Sequence, residues 1–272
     1  MPTPDDVRAR TAAAYNAAAD RYDDAANVFW ARFGQSTVER LHLQSGARVL
    51  DVCCGSGASA LPAAAMVGPA GSVLGIDLAE KLLALARSKA SECGLGNIEF
   101  RRGDLLDLRL PAGHFDAVVC VFGIFFIPDM PAAVRALWHV LRPGGKLAIT
   151  TWGPRFFEPA TTAFWNAVRE VRPELHKSFN PWDRISDPAA VQALLSAGGV
   201  EDAEVVAEAG THSIGSPEAW WSAVLGSGYR GTLEQMDAGA RERVRAANLR
   251  YIHDSGIRSV EANVVYAIAT KR

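Results

Sequence analysis

Apolar and polar positions along the chain fall into three stretches. From Arg48 to Trp152, short β-branched or apolar runs recur at Arg48–Cys53, Ser72–Asp77, Ile98–Gly103, Phe115–Val121 and Lys146–Trp152. Helical patterns at 58–67, 79–94 and 131–141 separate them. The last of these is punctuated at both ends. Pro131 suits the first turn, Val134, Leu137, Trp138 and Leu141 form an inward stripe, and Pro143-Gly144-Gly145 stops it. Strands alternating with helices predict a parallel sheet covered on both faces. Before this stretch, residues 5–24 are alanine-rich and predict a helix with Tyr15 and Tyr22 on one face. Val28, Phe29, Trp30 and Phe33 add an apolar cluster. After Trp152 the alternation weakens. Residues 153–185 hold four prolines and several aromatics but no clean strand. A helix over 188–198 runs from Asp187-Pro188 to Gly198-Gly199. A strand at Ala203–Ala209, a helical insertion over 217–254 and a final strand at Glu261–Thr270 complete the chain. No repeat, low-complexity tract or flexible linker interrupts it, so the expectation is one domain over 1–272 with insertions.

The strand–turn–helix at Val49-Leu50-Asp51-Val52-Cys53-Cys54-Gly55-Ser56-Gly57 narrows the chemistry. Glycine allows the tight turn and lets a ligand approach the backbone. The loose pattern Gly55-x-Gly57-x-x-Ala60 also satisfies a dinucleotide fingerprint. The acids separate the two readings. Asp51 precedes Gly55 by four residues at the strand's carboxyl end. A carboxylate there opposes a pyrophosphate and suits a ligand carrying an amino group or a sulfonium. S-adenosylmethionine has both and no phosphate. Asp77 ends the second strand, where a carboxylate can accept two ribose hydroxyls. Asp104 follows the third strand in Gly103-Asp104-Leu105, where it can accept an adenine amino group. Open α/β sheets bind ligands along this carboxyl edge.

These motifs, with Phe115-Asp116-Ala117-Val118-Val119 and Leu141-Arg142-Pro143-Gly144-Gly145-Lys146-Leu147, resemble the class I S-adenosylmethionine-dependent methyltransferases. The likeness is to the small-molecule branch that includes ubiquinone and menaquinone C-methyltransferases, and it covers roughly residues 45–152. It implies a Rossmann-like, seven-stranded, mostly parallel α/β sheet with a final antiparallel strand. The cofactor implied is S-adenosyl-L-methionine, with S-adenosyl-L-homocysteine as product. Residues 1–45 would form an N-terminal helical lid bearing Tyr15 and Tyr22, and 46–152 the cofactor-binding half. Residues 153–272 would form a C-terminal half whose insertions at 153–185 and 215–256 cover the acceptor. The cofactor-binding residues implied are Tyr15, Tyr22, Asp51, Cys53, Gly55, Gly57, Asp77, Leu78, Gly103, Asp104 and Leu105. Val121 or Phe122 would supply a carbonyl near the methionine amino group. The family pattern often has glycine where this chain has Cys53, a residue small enough to keep the turn.

Composition and charge narrow the partners. The chain has 272 residues, 49% apolar and 21% charged, enough for a large core. A formal net charge of −2 gives no global field for nucleic acid or an anionic membrane. The longest apolar run, Ala117 to Ile127, is far short of the roughly 20 residues a spanning helix needs, and the start of the chain has no basic, apolar signal pattern. Cys53, Cys54, Cys93 and Cys120 have no metal-ligand spacing and read as reduced thiols of a cytoplasmic protein without a metal site. Arg241, Arg243, Arg245 and Arg250 lack interleaved aromatics and read as a solvated face. The expected partner is a small apolar or aromatic methyl acceptor, with the chain a monomer or homodimer. The rival readings are an RNA or protein methyltransferase, a nicotinamide-dependent oxidoreductase, and a cofactor-binding protein without turnover. Tyr15, Tyr22 and the run Phe122, Phe125 and Phe126 serve packing as readily as a pocket wall. His176 and Glu158 lie in the insertion expected to overhang the pocket and are the candidates for a base.

Overall fold

The computed structural model describes residues 4–272. In chain order the elements are α1 (Pro4–Ala18), α2 (Phe29–Leu41), β1 (Arg48–Val52), α3 (Ala60–Val67), β2 (Ser72–Asp77), α4 (Glu80–Glu92), β3 (Ile98–Arg102), β4 (Phe115–Val121), α5 (Met130–Val140) and β5 (Leu141–Trp152). They continue with α6 (Ala160–Val171), α7 (Pro188–Ala197), β6 (Ala203–Glu208), β7 (Thr211–Ser213), α8 (Pro217–Leu225), α9 (Arg230–Leu233), α10 (Ala238–Asp254), β8 (Ser259–Glu261) and β9 (Val264–Thr270).

Val49 to Val52 of β1 are all buried, as a central strand covered on both faces requires. Successive side chains point to opposite faces. Val49, Ala117, Val119 and Ala148 pack on one face with apolar residues of α2, α3 and α4. Leu50, Val52, Val118, Leu147 and Ile149 pack on the other with α5 and α7. The seven-stranded sheet has the order β3-β2-β1-β4-β5-β9-β6. β1 runs parallel to β2 and to β4, whereas β9 runs antiparallel to β5 and β6. The chain leaves β1 toward β2 and β3, then returns to place β4 on β1's other side. That reversal opens a crevice at the strands' carboxyl ends, the place where open α/β sheets bind ligands.

The mostly parallel sheet expected from the sequence is present. Several details differ. α1 ends at Ala18, and 19–24 form turns; residues 1–3 of the anticipated lid lie outside the described residues. Of the apolar cluster, Phe29, Trp30 and Phe33 form the buried stripe of a full helix, α2, whereas Val28 precedes the helix and is exposed. Segment 153–185 contains α6, which buries Phe164, Trp165 and Val168. The insertion over 217–254 divides into α8, α9 and α10. The anticipated last strand also divides, because β8 pairs with β7 in a separate two-stranded sheet. β5 begins at Leu141, and a register shift between Phe115 and Ala117 absorbs the Pro-Gly-Gly segment. Over the carboxyl edge, α1 rests against α4 and α9, while α10 packs on α6 and α8. Among the described residues no helix is long and apolar enough to cross a membrane.

Candidate active site

The turn after β1 is built from left-handed backbone. Cys53 has φ 57°, Gly55 53° and Gly57 88°. At Gly55 a Cβ would sit 3.1 Å from the Tyr22 hydroxyl, so glycine is needed for space as well as for conformation. Cys53 occupies the family's glycine position at a conformational cost of about 1–2 kcal/mol. Phe122, just past β4, has φ 54° as well. The two strained residues are brought together through Gly123, which packs against the Cys53 side chain. Non-glycine residues held in this region cluster at ligand clamps and active sites.

The carboxylates of β1 and β2 differ in partnering. Asp77 Oδ2 accepts the Gly55 N–H at 2.9 Å, and Oδ1 accepts the Ala79 N–H at 2.8 Å. Burial raises its pKa, and these N–H groups oppose the rise. Each carboxylate oxygen keeps a further lone pair for a ligand hydroxyl. Asp51 is fully buried. Its Oδ2 accepts from Ser59 Oγ at 2.7 Å, whereas Oδ1 has no hydrogen-bond partner. Burial pushes its pKa up to about 7 against the pull of the Ser59 hydrogen bond, and the negative Asp77 adds to the rise. Asp104 accepts the Leu106 N–H at 2.9 Å and is ion-paired with Arg8 of α1 at 2.6 Å.

A cavity of about 100 Å³ lies along this edge. Its wall brings together Tyr15, Tyr22, Cys53, Gly55, Asp77, Leu78, Gly103, Asp104, Leu105, Val121 and Phe122. Four expected residues are placed elsewhere. Asp51 sits behind the wall beside Ser59, which does line it. Gly57 faces Leu61 and Phe100 instead. His176 turns its ring edge toward Trp165, and Glu158 accepts from Thr162 at 2.9 Å; neither lines the cavity. None of the six histidines does.

Sequence reasoning missed Arg8, Ser59 and Ile127 and named Trp30 only as an aromatic of a cluster; of the run read as either packing or pocket wall, Phe122 and Phe126 line the cavity and Phe125 does not. Trp30 stacks on Tyr22 at 5.1 Å, Tyr15 meets Phe126 edge-on at 5.7 Å, and Phe122 stacks on Trp152 at 3.8 Å. Burial pushes the Tyr15 and Tyr22 hydroxyls up, so both are neutral. The amphipathic stripe of α2 was the available signal for Trp30. Arg8 had none, since its partner lies 96 residues away.

The donor set fits a cationic nucleoside. The wall supplies the Asp77 carboxylate, a second acid in Asp104 and the glycine of the turn, Gly55, and behind it lies the buried Asp51 Oδ1, which lacks a partner. Comparison with known proteins agrees. A model of a methyltransferase domain matches residues 49–145. A demethylmenaquinone methyltransferase of Listeria monocytogenes is 36% identical over 150 residues, covering 54% of this chain and 62% of that protein. The match thus spans less than two thirds of that relative's length. Nocamycin O-methyltransferase of Saccharothrix syringae is 31% identical over 208 residues, covering 76% of this chain and 68% of that protein. The fold is shared with the Bacillus subtilis YcgJ protein at a TM-score of 0.59 and 19% identity, over 89% of this chain and 99% of that one.

Proposed function

Since this chain belongs to the class I S-adenosylmethionine-dependent methyltransferases, we propose that it transfers a methyl group to a small apolar or aromatic acceptor in the cavity at the carboxyl edge. One observation carries the reading: a carboxylate anchored by the glycine turn and a set of aromatic rings line the same cavity. Asp77 would accept the ribose hydroxyls, and Gly103 to Leu105 would hold the adenine. The Val121–Phe122 backbone would face the methionine amino group.

When bound, the cofactor supplies an electrophilic methyl group on a sulfonium. The protein's own part is positioning and exclusion of water. Trp30, Phe122, Phe126 and Ile127 would wall the acceptor, and fixing two reactants in contact is worth up to ~7–11 kcal/mol of barrier. Removing water strengthens the attraction between acceptor nucleophile and sulfonium. With His176 and Glu158 outside the wall, the reading assigns no general base from either. The acceptor is read as a small molecule rather than RNA or protein because the enclosed wall is largely aromatic and apolar. The names of the relatives, a demethylmenaquinone methyltransferase and a nocamycin O-methyltransferase, support the same class. We read the chain as one unit, with the helices over 1–45 and the later insertions as its cover.

The test is incubation with methyl-labelled S-adenosylmethionine and a panel of phenols, quinols, amines, thiols and isoprenoids. Label is expected in an aromatic or apolar member. Label entering only RNA or protein would overturn the acceptor class.

A further inference from the structure

Ser56, the middle residue of the Gly55-Ser56-Gly57 turn, is buried but does not itself line the cavity. Its hydroxyl donates to Asp23 Oδ1 at 2.7 Å and accepts from Lys89 Nζ at 2.9 Å. Lys89 Nζ also meets Asp23 Oδ2 at 2.8 Å. Three segments therefore meet in one closed triangle: the turn-rich stretch after α1, the glycine turn, and the last turn of α4. Two neighbours of the triangle, Tyr22 and Gly55, reach the cavity. Tyr22, next to Asp23, lines it, and its hydroxyl lies against Gly55, next to Ser56. Gly55 in turn donates to Asp77.

We propose that Lys89 is a positioning residue: through Asp23 and Ser56 it straps the Tyr22 segment onto the glycine turn and so shapes the cofactor site from outside. The proposal rests on the cofactor reading above for its consequence, but the strap itself is a statement about the protein without ligand. A hydroxyl shared between a carboxylate and an ammonium has both lone-pair and proton roles filled, and charge-assisted bonds of this kind are roughly twice as strong as neutral ones. Asp23 and Lys89 are about one third exposed, so each remains reachable by salt. Without the ammonium, Asp23 keeps only the Ser56 hydroxyl from this triangle. The Tyr22 segment then loses its charged tie to α4, and Tyr22 can leave Gly55.

Lys89→Met, Lys89→Arg and the parent protein are compared in two measurements. Without ligand, hydrogen exchange over residues 19–30 is expected to quicken at least tenfold in Lys89→Met, with β1, β4 and β5 unchanged, and to return toward the parent rate in Lys89→Arg. Calorimetric titration is expected to show S-adenosylhomocysteine binding about tenfold more weakly to Lys89→Met, with Lys89→Arg within threefold of the parent. Unchanged exchange over 19–30 in Lys89→Met would overturn the strap. So would a change spread over the whole sheet, which would mark Lys89 as merely stabilising. A parent protein that binds no S-adenosylhomocysteine would overturn the cofactor reading instead, leaving the strap to be judged by exchange.

Discussion

Asp51 and Asp77 end neighbouring strands and carry the same group, yet their surroundings give them different work. Asp51 holds a proton at a pH where a free carboxyl has lost it, since burial raises its pKa to about 7. The folded chain therefore binds more protons at this site than the unfolded chain between roughly pH 4 and pH 7. The stability from this group is fully present below the unfolded pKa and is lost as pH rises through about 7. Asp51→Asn removes that loss. Urea unfolding of variant and parent is expected to show the variant gaining on the parent by at least ~1 kcal/mol between pH 5 and pH 8; a gap that stays constant would refute the buried, protonated Asp51. Asp77 has a second duty that its position in the sequence did not reveal. It holds the Gly55 and Ala79 N–H groups as well as facing the cavity. Asp77→Ala is expected to weaken S-adenosylhomocysteine binding tenfold or more, and also to cost about 1–3 kcal/mol of stability as two buried donors lose their acceptor. Calorimetry and urea unfolding check the two parts separately, and unchanged affinity would remove Asp77 from the site. Strand-end acids were legible because the turn glycines mark where a strand stops. Arg8, Asp23 and Lys89 were not, because a charge on a helix or loop acquires its partner only when the sheet brings distant segments together.

Among the elements, α1 and the stretch that follows it supply one side of the cavity, through Tyr15 and Tyr22. Tyr22 belongs to the buried core, stacked on Trp30, whereas Tyr15 is half-buried on a helix with many exposed positions. The anchored part is therefore the stretch around Tyr22, and α1 is the part free to respond. Its ties to the cavity edge include Arg8 to Asp104, and the Lys81 N–H donates to Asn16 Oδ1 at 2.9 Å. Exchange over residues 6–18 is expected to run faster than in β1 and β4 without ligand, and to slow at least fivefold with S-adenosylhomocysteine. Protection equal to that of the central strands, with or without ligand, would make α1 a fixed part of the core. The central strands β1 and β4 were readable because a doubly covered strand must be apolar almost throughout. α2 was harder, since Gly34 and Thr37 interrupt its helical pattern. Gly34 is there because the Ala58 backbone passes too close for any Cβ, and Thr37 satisfies its hydroxyl on the Phe33 carbonyl at 2.7 Å. β7 and β8, three residues each, are too short to carry a period.

For the molecule as a whole, a ligand that seats only on the folded sheet edge stabilises every element joined to it. At one hundred times its dissociation constant this amounts to ~2.7 kcal/mol. In a chain of this size that corresponds to roughly 5–10 °C in melting temperature. A shift of that order with S-adenosylhomocysteine is expected in a thermal scan, and it should shrink in Asp77→Ala. An acid-bearing glycine turn should select a cationic nucleoside over a pyrophosphate. Calorimetric titration of the purified chain with S-adenosylhomocysteine and, separately, with NAD separates the two. Saturable one-to-one binding of S-adenosylhomocysteine with no heat from NAD is the predicted result, and saturable binding of NAD with none for S-adenosylhomocysteine would contradict it.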